Sequence, residues 1–326
     1  MRAIARCLGV VTLLACSTDV GAQDPSRDYP NKPVRWIVHT PPGASGDIVT
    51  RLMARKLTDL LGQQFVVDNR AGGGGIIGGT IVANAPPDGY TLMLTNPAPN
   101  ISAPLMSKNP PYRIDDLAPV VLFGYAPLII LAQNTFPARD PKEMIAAVRA
   151  NPGKYSWGTS GVGSTPHIGL ALLQLAVSGF DVVHVPYKGT APALVDLLGG
   201  QTHLIYTSKV SAASHIKAGR ARVLAVASPK RSQGLPHVPT LAEFGIKDAD
   251  TVTWTGIAVP ARTPRAIIDK LNAASNKVLA LPDVRKLLED DDVIIQGGTP
   301  EEFAAFRRKE AGNIERLLKA GALTKE

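Results

Sequence analysis

Cysteine is absent from all but the first 16 residues of this 326-residue chain: its only two, Cys7 and Cys16, lie at the start. A mature form beginning near Gln23 therefore has no disulfide, no thiolate nucleophile and no zinc–thiolate site. Long uninterrupted apolar runs are missing too. "APVVLFGYAPLIILA" (residues 118–132) is broken by Gly124 and Pro127, and it is shorter than the roughly 20 residues a membrane helix needs. Two buried strands joined by a bend are expected there. No basic stripe is present. The densest basic run, "RRK" (residues 307–309), stands beside Glu310 on a helical pattern, which reads as a solvated face and argues against nucleic acid.

The usual catalytic and cofactor signatures are lacking as well. The six histidines, His39, His167, His184, His203, His215 and His237, show no H-E-x-x-H or paired metal spacing, so no metal is expected. "GTSGV" around Ser160 has Val162 where a nucleophile elbow needs its last glycine. "GGGIIG" (Gly73, Gly75, Gly78) matches the dinucleotide pattern between a strand and a helix. The acid that should follow about 20 residues on is absent, because the next strand ends at Thr95 and Asn96. A tight turn that forms part of a ligand wall is the expected use, and no cofactor is expected.

What is present is a globular balance of 45% hydrophobic and 19% charged residues with a net charge of +8, and a length that fits about two domains. That mild positive charge serves solubility and exerts a weak pull on anions. Residues 1–22 read as an export signal: Arg2 and Arg6, then "LGVVTLLA", then the small-residue stretch "VGA". "LLAC" (residues 13–16) supplies an alternative, a lipid anchor on Cys16.

One unit occurs twice. The first copy runs from a strand at residues 34–38 through the loop "TPPGASG" to a helix over 47–61 and a strand over 65–68. It continues with the loop "AGGGG", a helix near 78–85 and a strand over 90–96. In the helix over 47–61, Ile48, Val49, Leu52, Met53, Leu57, Leu60 and Leu61 make an apolar stripe of helical period. The second copy starts at "YSWGTSGVGSTPH" (residues 155–167), enters a helix reaching about residue 177, and goes on to "VVHVPY", "KGT", a helix over 191–198 and "THLIYTS" (residues 202–208). Thr165 before Pro166 reads as a helix N-cap, with Thr190 and Pro192 similar. Alternating strands and helices imply parallel sheets whose strand-to-helix loops gather at one edge, where ligands bind. Two such lobes, with the "TPPGASGD" and "TSGVGST" loops opposed, would grip a small anion at their N–H groups.

Candidate side chains each carry a plainer alternative. Ser160, Ser164 and His167 are near one another in sequence, and a hydrolase using Ser164 and His167 is one reading; helix capping or ligand contact is the other. Asp47 in a first helical turn either complements the dipole or orients the loop. His39 and His184 stand at strand ends as ligand contacts or as satisfied imidazoles. Lys188 either neutralises an anion or reaches solvent, and Trp157 and Trp254 either stack on a ligand or pack.

The chain resembles the periplasmic substrate receptors of tripartite tricarboxylate transporters, the Bug receptors. The resemblance rests on "YPNKPVRWIV", "PPGASGD", "LGQQFVVDNRAGGGG", "APPDGYTLM", "VHVPYKGTAPALVDLLGGQ", "HIKAGRARVLAV", "LPHVPTLAEFG" and "GTPEEFAAF", which cover essentially the whole mature chain in family order. It implies a two-lobe, type II periplasmic-binding-protein-like α/β fold closing on a small carboxylate. A discontinuous first lobe is implied at 24–125 and 255–326, with residues 126–254 between as the second lobe, hinge strands included. By matched motif, Gly43, Ala44 and Ser45 would offer N–H groups to a carboxylate. Ser160, Gly163, Ser164 and Thr165 would contact it from the other lobe, with Lys188 and Gly189 in the "YKG" turn and Thr95, Asn96, Thr207 and Ser208 at strand ends. The resemblance further implies a periplasmic receptor, a monomer, whose partners are the carboxylate and membrane permease subunits. A sensor docking on a signalling partner is the alternative. Two departures stand out: Gly43-Ala44-Ser45 replaces the usual Pro-Gly-Gly, and His203 and Thr207 stand where relatives often have an Asp. Without that acid to pair with an ammonium group, a plain carboxylate or dicarboxylate is expected, not an amino acid.

Overall fold

A computed structural model describes residues 26–40, 42–290 and 292–325; the expected export signal at residues 1–22, with Cys7 and Cys16, lies outside the described residues. In chain order the elements begin with β1 (Val34–Val38), α1 (Ser45–Leu61), β2 (Phe65–Asn69), α2 (Ile76–Ala83) and β3 (Thr91–Thr95). A π-helical turn, Ala98–Ser102, and α3 (Ala103–Met106) lead into β4 (Leu117–Gln133) and α4 (Pro141–Ala150). Next come β5 (Ser156–Thr159), α5 (Thr165–Ala176), β6 (Val183–Pro186), α6 (Thr190–Leu198), β7 (Leu204–Ser208), α7 (Lys209–Lys217) and β8 (Ala221–Val226). The described chain finishes with β9 (Val252–Pro260), α8 (Arg265–Leu279), α9 (Pro282–Asp290), β10 (Ile294–Gly297) and α10 (Pro300–Lys319).

The sheet order β2-β1-β3-β9-β4-β7-β5-β6 has the repeat written into it. Each end is a parallel trio with its first strand in the middle, β2-β1-β3 and β6-β5-β7. Antiparallel β9 and β4 join them. Two separate cores follow. Trp36, Leu57, Phe123, Ile257 and Leu271 belong to one; Ile130, Trp157, Leu173, Tyr206 and Leu224 belong to the other. This is a two-lobe α/β fold with the loops after β1 and β5 at corresponding places.

Residues 118–132 form one strand, not two. β4 runs unbroken for 17 residues, and bulges absorb the bend: its register against β9 shifts between Pro119 and Val121 and again between Leu122 and Gly124. Gly124 is required there, since a Cβ would come within 2.5 Å of the Ile294 carbonyl. Beyond Pro127 the same strand pairs with β7 and β8 in the second lobe.

α1 and α2 each begin two residues earlier than their apolar periodicity indicated. Along α1, Val49, Met53 and Leu57 are buried, each adding roughly 1.5–3 kcal/mol. Ile48 and Leu60 leave the stripe for solvent, at 48% and 46% exposure. Gly62 ends the helix in the left-handed conformation, its N–H returning to the Thr58 carbonyl. The "RRK" run is not wholly a solvated face either. Arg307 is buried, its guanidinium donating to the carbonyls of Leu117 at 2.6 Å and Ile114 at 3.3 Å, which pins α10 to the start of β4.

Candidate functional site

The loop after β1 is built around a buried carboxylate. Asp47 Oδ2 accepts the Gly43 N–H at 2.9 Å and Arg51 Nε at 3.0 Å. Its Oδ1 accepts the Asn69 amide at 2.9 Å, and that amide also donates to the Thr40 carbonyl at 3.0 Å. Burial alone would raise the Asp47 pKa; the hydrogen bonds from Arg51, Gly43 and Asn69 outweigh it and hold it at about 2. Both oxygens are thus engaged in shaping the loop, and the Asp47 carboxylate is turned to protein donors. Gly43 takes the positive φ of 82°. Ala44, the helix N-cap, has φ −69° and ψ 157°, extended backbone that any L-residue adopts. Its departure from the family's glycine therefore costs no strain.

The loop after β5 is built around hydroxyls and imidazoles. Ser164, not Thr165, is the N-cap of α5, accepting the His167 N–H at 3.4 Å while its own hydroxyl donates to the Gly161 carbonyl at 2.6 Å. Proline occupies the second helical position, which moves the cap one residue back. The Gly163 N–H donates to His167 Nδ1 at 3.1 Å. The His167 ring stacks on His184 with centroids 4.4 Å apart and planes 6° from parallel, and His184 Nε2 shares a hydrogen bond of 2.7 Å with Thr159 Oγ1. Burial, with His184 beside it, lowers the His167 pKa to about 4; burial lowers His184 as well. Nδ1 of His167 faces a backbone donor and the Ser164 hydroxyl faces a carbonyl, the geometry of a capped loop, without the nucleophile–base contact a hydrolase requires.

Several depressions open between the lobes: one of about 810 Å³ is lined by Lys209, Arg231, Ser232, Arg285 and Asp292, and two smaller ones meet the strand-to-helix loops. One, of about 240 Å³, brings Thr40, Gly46 and Asn96 of the first lobe opposite Ser208 and Ser211 of the second, with Trp254 of β9 also in its lining. The N-termini of α1 and α7 both border it. The other, of about 420 Å³, sets Gly74 and Ser102 opposite Ser160, Gly163 and Ser164. The two loops expected to oppose each other thus line different depressions. No charged side chain is among the described residues that line either one, and no group of three or more acidic, histidine or cysteine side chains suited to a metal ion occurs among the described residues.

Comparison with known proteins decides the family. Residues 49–323 match the model of the tripartite tricarboxylate transporter family receptor. The chain belongs to this receptor family. It is 35% identical to BugT of Bordetella pertussis over 92% of this chain and 93% of that protein. An R. palustris protein solved with adipate is 30% identical and superposes with a TM-score of 0.80, over 91% of this chain and 99% of the other. MatC from Rhodopseudomonas palustris, solved with malate, gives 30% and 0.76, over 89% of this chain and 100% of its own. Solved members of the family are periplasmic binding proteins, and no helix among the described residues is long and apolar enough to cross a membrane.

Of the remaining candidates, Asn96 and Trp254 line the 240 Å³ depression, while Thr95, Thr207, Lys188 and Gly189 line neither of the two smaller ones. Thr95 and Thr207 occupy corresponding ends of β3 and β7, 0% and 1% exposed, each with a hydroxyl that has no protein partner. Asn96 Oδ1 accepts the Ala98 N–H at 3.1 Å and starts the π-turn. Gly189, not Thr190, is the N-cap of α6 at φ 116°, and its N–H donates to the Ser160 carbonyl at 3.2 Å, so the "YKG" turn braces the Ser160 loop. Lys188 is exposed and lines neither depression. His39 is buried, its Nδ1 3.1 Å from the Leu94 carbonyl, and burial lowers it to about 4. His203 precedes β7, with Nδ1 accepting the Ser156 N–H at 3.1 Å, at the strand end opposite Ser208. Trp157 and Trp254 pack among aromatic neighbours, Tyr206 and Phe303 respectively. In "GGGIIG", Gly75 lets the backbone approach Pro99, whose Cβ would be 2.7 Å from an added side chain; the motif is a close-packing device.

Several polar lining residues went unread as single positions, among them Thr40, Gly46, Ser102, Ser107, Ser211, Thr253 and Thr255. Thr40 and Gly46 belong to the "TPPGASG" loop, and Ser211 carried a local signal of its own, the "SKVS" spacing by which Ser208 caps α7 and accepts the Ser211 N–H at 3.2 Å.

Proposed function

We propose that this receptor is exported, captures a small organic carboxylate between its lobes and delivers it to the membrane subunits of a tripartite tricarboxylate-type transporter. The observation that carries the reading is the 240 Å³ cleft itself. Helix N-termini border it from both lobes, and helix N-termini favour anions. Asp47, the carboxylate in the first loop, turns its oxygens to Gly43, Arg51 and Asn69, and the Arg51 guanidinium at 3.0 Å offsets its charge towards a negative ligand. The described lining has no acid to pair with an ammonium group, which favours a plain carboxylate or dicarboxylate over an amino acid. Relatives solved with adipate and malate support the same class.

The first lobe in this reading comprises residues 24–125 and 255–326, the second 126–254, and the strands shared between them act as the hinge. Ligand contacts made from both sides stabilise the closed arrangement over the open one. No catalytic step is involved, and the receptor works as a monomer. The test is a thermal-shift screen of the mature protein against aliphatic and aromatic mono-, di- and tricarboxylates beside amino acids, followed by calorimetry. A ligand at 100 times its Kd adds about 2.7 kcal/mol to the folded state, and a selective shift with plain carboxylates is expected. Tight binding of aspartate or glutamate, lost when the amino group is removed, would overturn the ligand class.

A further inference from the structure

The two lobes touch on both flanks of the hinge strands, and the two contacts differ in kind. On one flank the contact is mainly apolar: Ile168 and Leu172 of α5 share a buried cluster with Ile314 and Leu317 of α10, beside a hydrogen bond of 3.3 Å from the Arg316 guanidinium to the Asp248 carbonyl. On the other, a polar cluster surrounds Asp292, in the turn between α9 and β10. Its Oδ2 accepts the Ser232 hydroxyl at 2.5 Å, and its Oδ1 lies 3.3 Å from Lys209 Nζ and accepts the Gly234 N–H at 3.4 Å. The side chains of Lys209 and Asp292 are only 18% and 10% exposed. Asp292 holds the left-handed conformation, φ 60°, uncommon for a residue with a side chain. Gly234 leaves space that the Lys209 ammonium fills.

The partners come from bodies with separate cores. Leu288, just before this turn, belongs to the core of Trp36 and Leu57; Ala212 of α7 and Leu235 beside Gly234 belong to a cluster that shares no residue with it. The cluster also adjoins the cleft. Lys209 follows Ser208 and Val293 follows Asp292, and Ser208 and Val293 both line the 240 Å³ cavity. We propose that Asp292 is an interlobe positioning residue: through Lys209, Ser232 and Gly234 it fixes the α7 N-terminus at a set distance from the first lobe and so sets the width of the cleft. Its consequence for binding rests on the receptor reading above. The spacing itself is a property of the ligand-free protein and is tested without ligand.

The test is energy transfer between dyes on Leu60→Cys in α1 and Val195→Cys in α6, both exposed, in a chain beginning at Gln23 with no other cysteine. Asp292→Asn keeps a residue that tolerates the left-handed conformation and removes the charge; Lys209→Met removes the partner. Both are expected to lower the ratio of narrow to wide lobe spacing about tenfold, the scale of a charged hydrogen bond, with thermal melting showing a folded protein. The exchanged pair Asp292→Lys with Lys209→Asp is expected to recover the narrow spacing in part. Glu289→Gln serves as control, since Glu289 pairs with Arg285 on α9. Unchanged spacing in folded Asp292→Asn and Lys209→Met, or an equal change in Glu289→Gln, overturns the proposal. Should Asp292→Asn not fold, Lys209→Met and Ser232→Ala decide it on the same readout.

Discussion

The loops after β1 and β5 occupy the same place, each leaving the middle strand of a parallel trio for a helix at the interlobe edge. Each holds a glycine N–H four residues ahead of a helical side chain that accepts it. In the first loop the acceptor is the Asp47 carboxylate; in the second it is the His167 imidazole. One topology thus admits two chemistries, and they fail under different conditions. Asp47 accepts until it is protonated, near pH 2, because Arg51, Gly43 and Asn69 stabilise its charge. His167 accepts through a bare Nδ1, and protonation near pH 4 turns that atom into a donor.

The largest effect should come from Asp47→Ala, which removes a buried carboxylate that accepts hydrogen bonds from Gly43, Arg51 and Asn69. A loss of about 2 kcal/mol in urea unfolding is expected, together with a loss of carboxylate affinity of at least about tenfold by calorimetry. A variant with native stability and affinity would show that the first loop holds itself. Ser164→Ala removes one helix cap, so about 1 kcal/mol is expected from the same unfolding experiment. A cost exceeding that of Asp47→Ala would reverse the order of the two loops.

Titration sharpens the comparison further. His167 in the folded state resists protonation down to about pH 4, against an ordinary value of 6.5. Between those values the unfolded chain binds a proton that the native one does not, so stability should fall as pH drops from 6.5 towards 4. The Asp47 contribution should be lost only below about 3.8, as pH falls towards 2. Amide shifts in NMR should accordingly change near pH 4 for Gly163 and near pH 2 for Gly43; a shared midpoint would erase the distinction. The smallest effect is expected from Thr207→Val. An unpartnered buried hydroxyl exchanged for a methyl of like shape should alter stability by no more than about 0.5 kcal/mol. Reduced carboxylate affinity in that stable variant would place the hydroxyl against the ligand, and Thr95→Val makes the matching test in the other lobe.

Much of the architecture was legible because it follows from short-range pattern. Helical period marked α1, glycine and proline marked the strand-to-helix loops, and their alternation marked two parallel trios. β4 departs from the expectation because Gly124 and Pro127 normally interrupt a strand; pairing with β9 and β10 across long sequence distances carries the strand through both, with a bulge beside Gly124 and Pro127 in regular register with Val252. Arg307 was misread for a similar reason: its acceptors, the carbonyls of Ile114 and Leu117, belong to a remote segment. At the cleft, the loops were legible and their pairing was not. Which loop faces which depends on how the lobes are set about β4 and β9, and no local spacing records that. Ser102 stayed hidden because nothing in "NPAPNISAP" announces a π-turn.

The route of the chain through the two cores has a consequence for its biosynthesis. The core around Ile130 and Trp157 draws all its buried members from residues 128–249, whereas the core around Trp36 needs Ile257, Leu271 and Leu279 as well. A polypeptide growing from its N-terminus therefore completes the later-encoded body first. The strands made earliest wait with one wall missing until α8 emerges, and contacts so distant in sequence slow their assembly. A ribosome that stops short of α8 would leave one finished half tethered to another that has no means of closing.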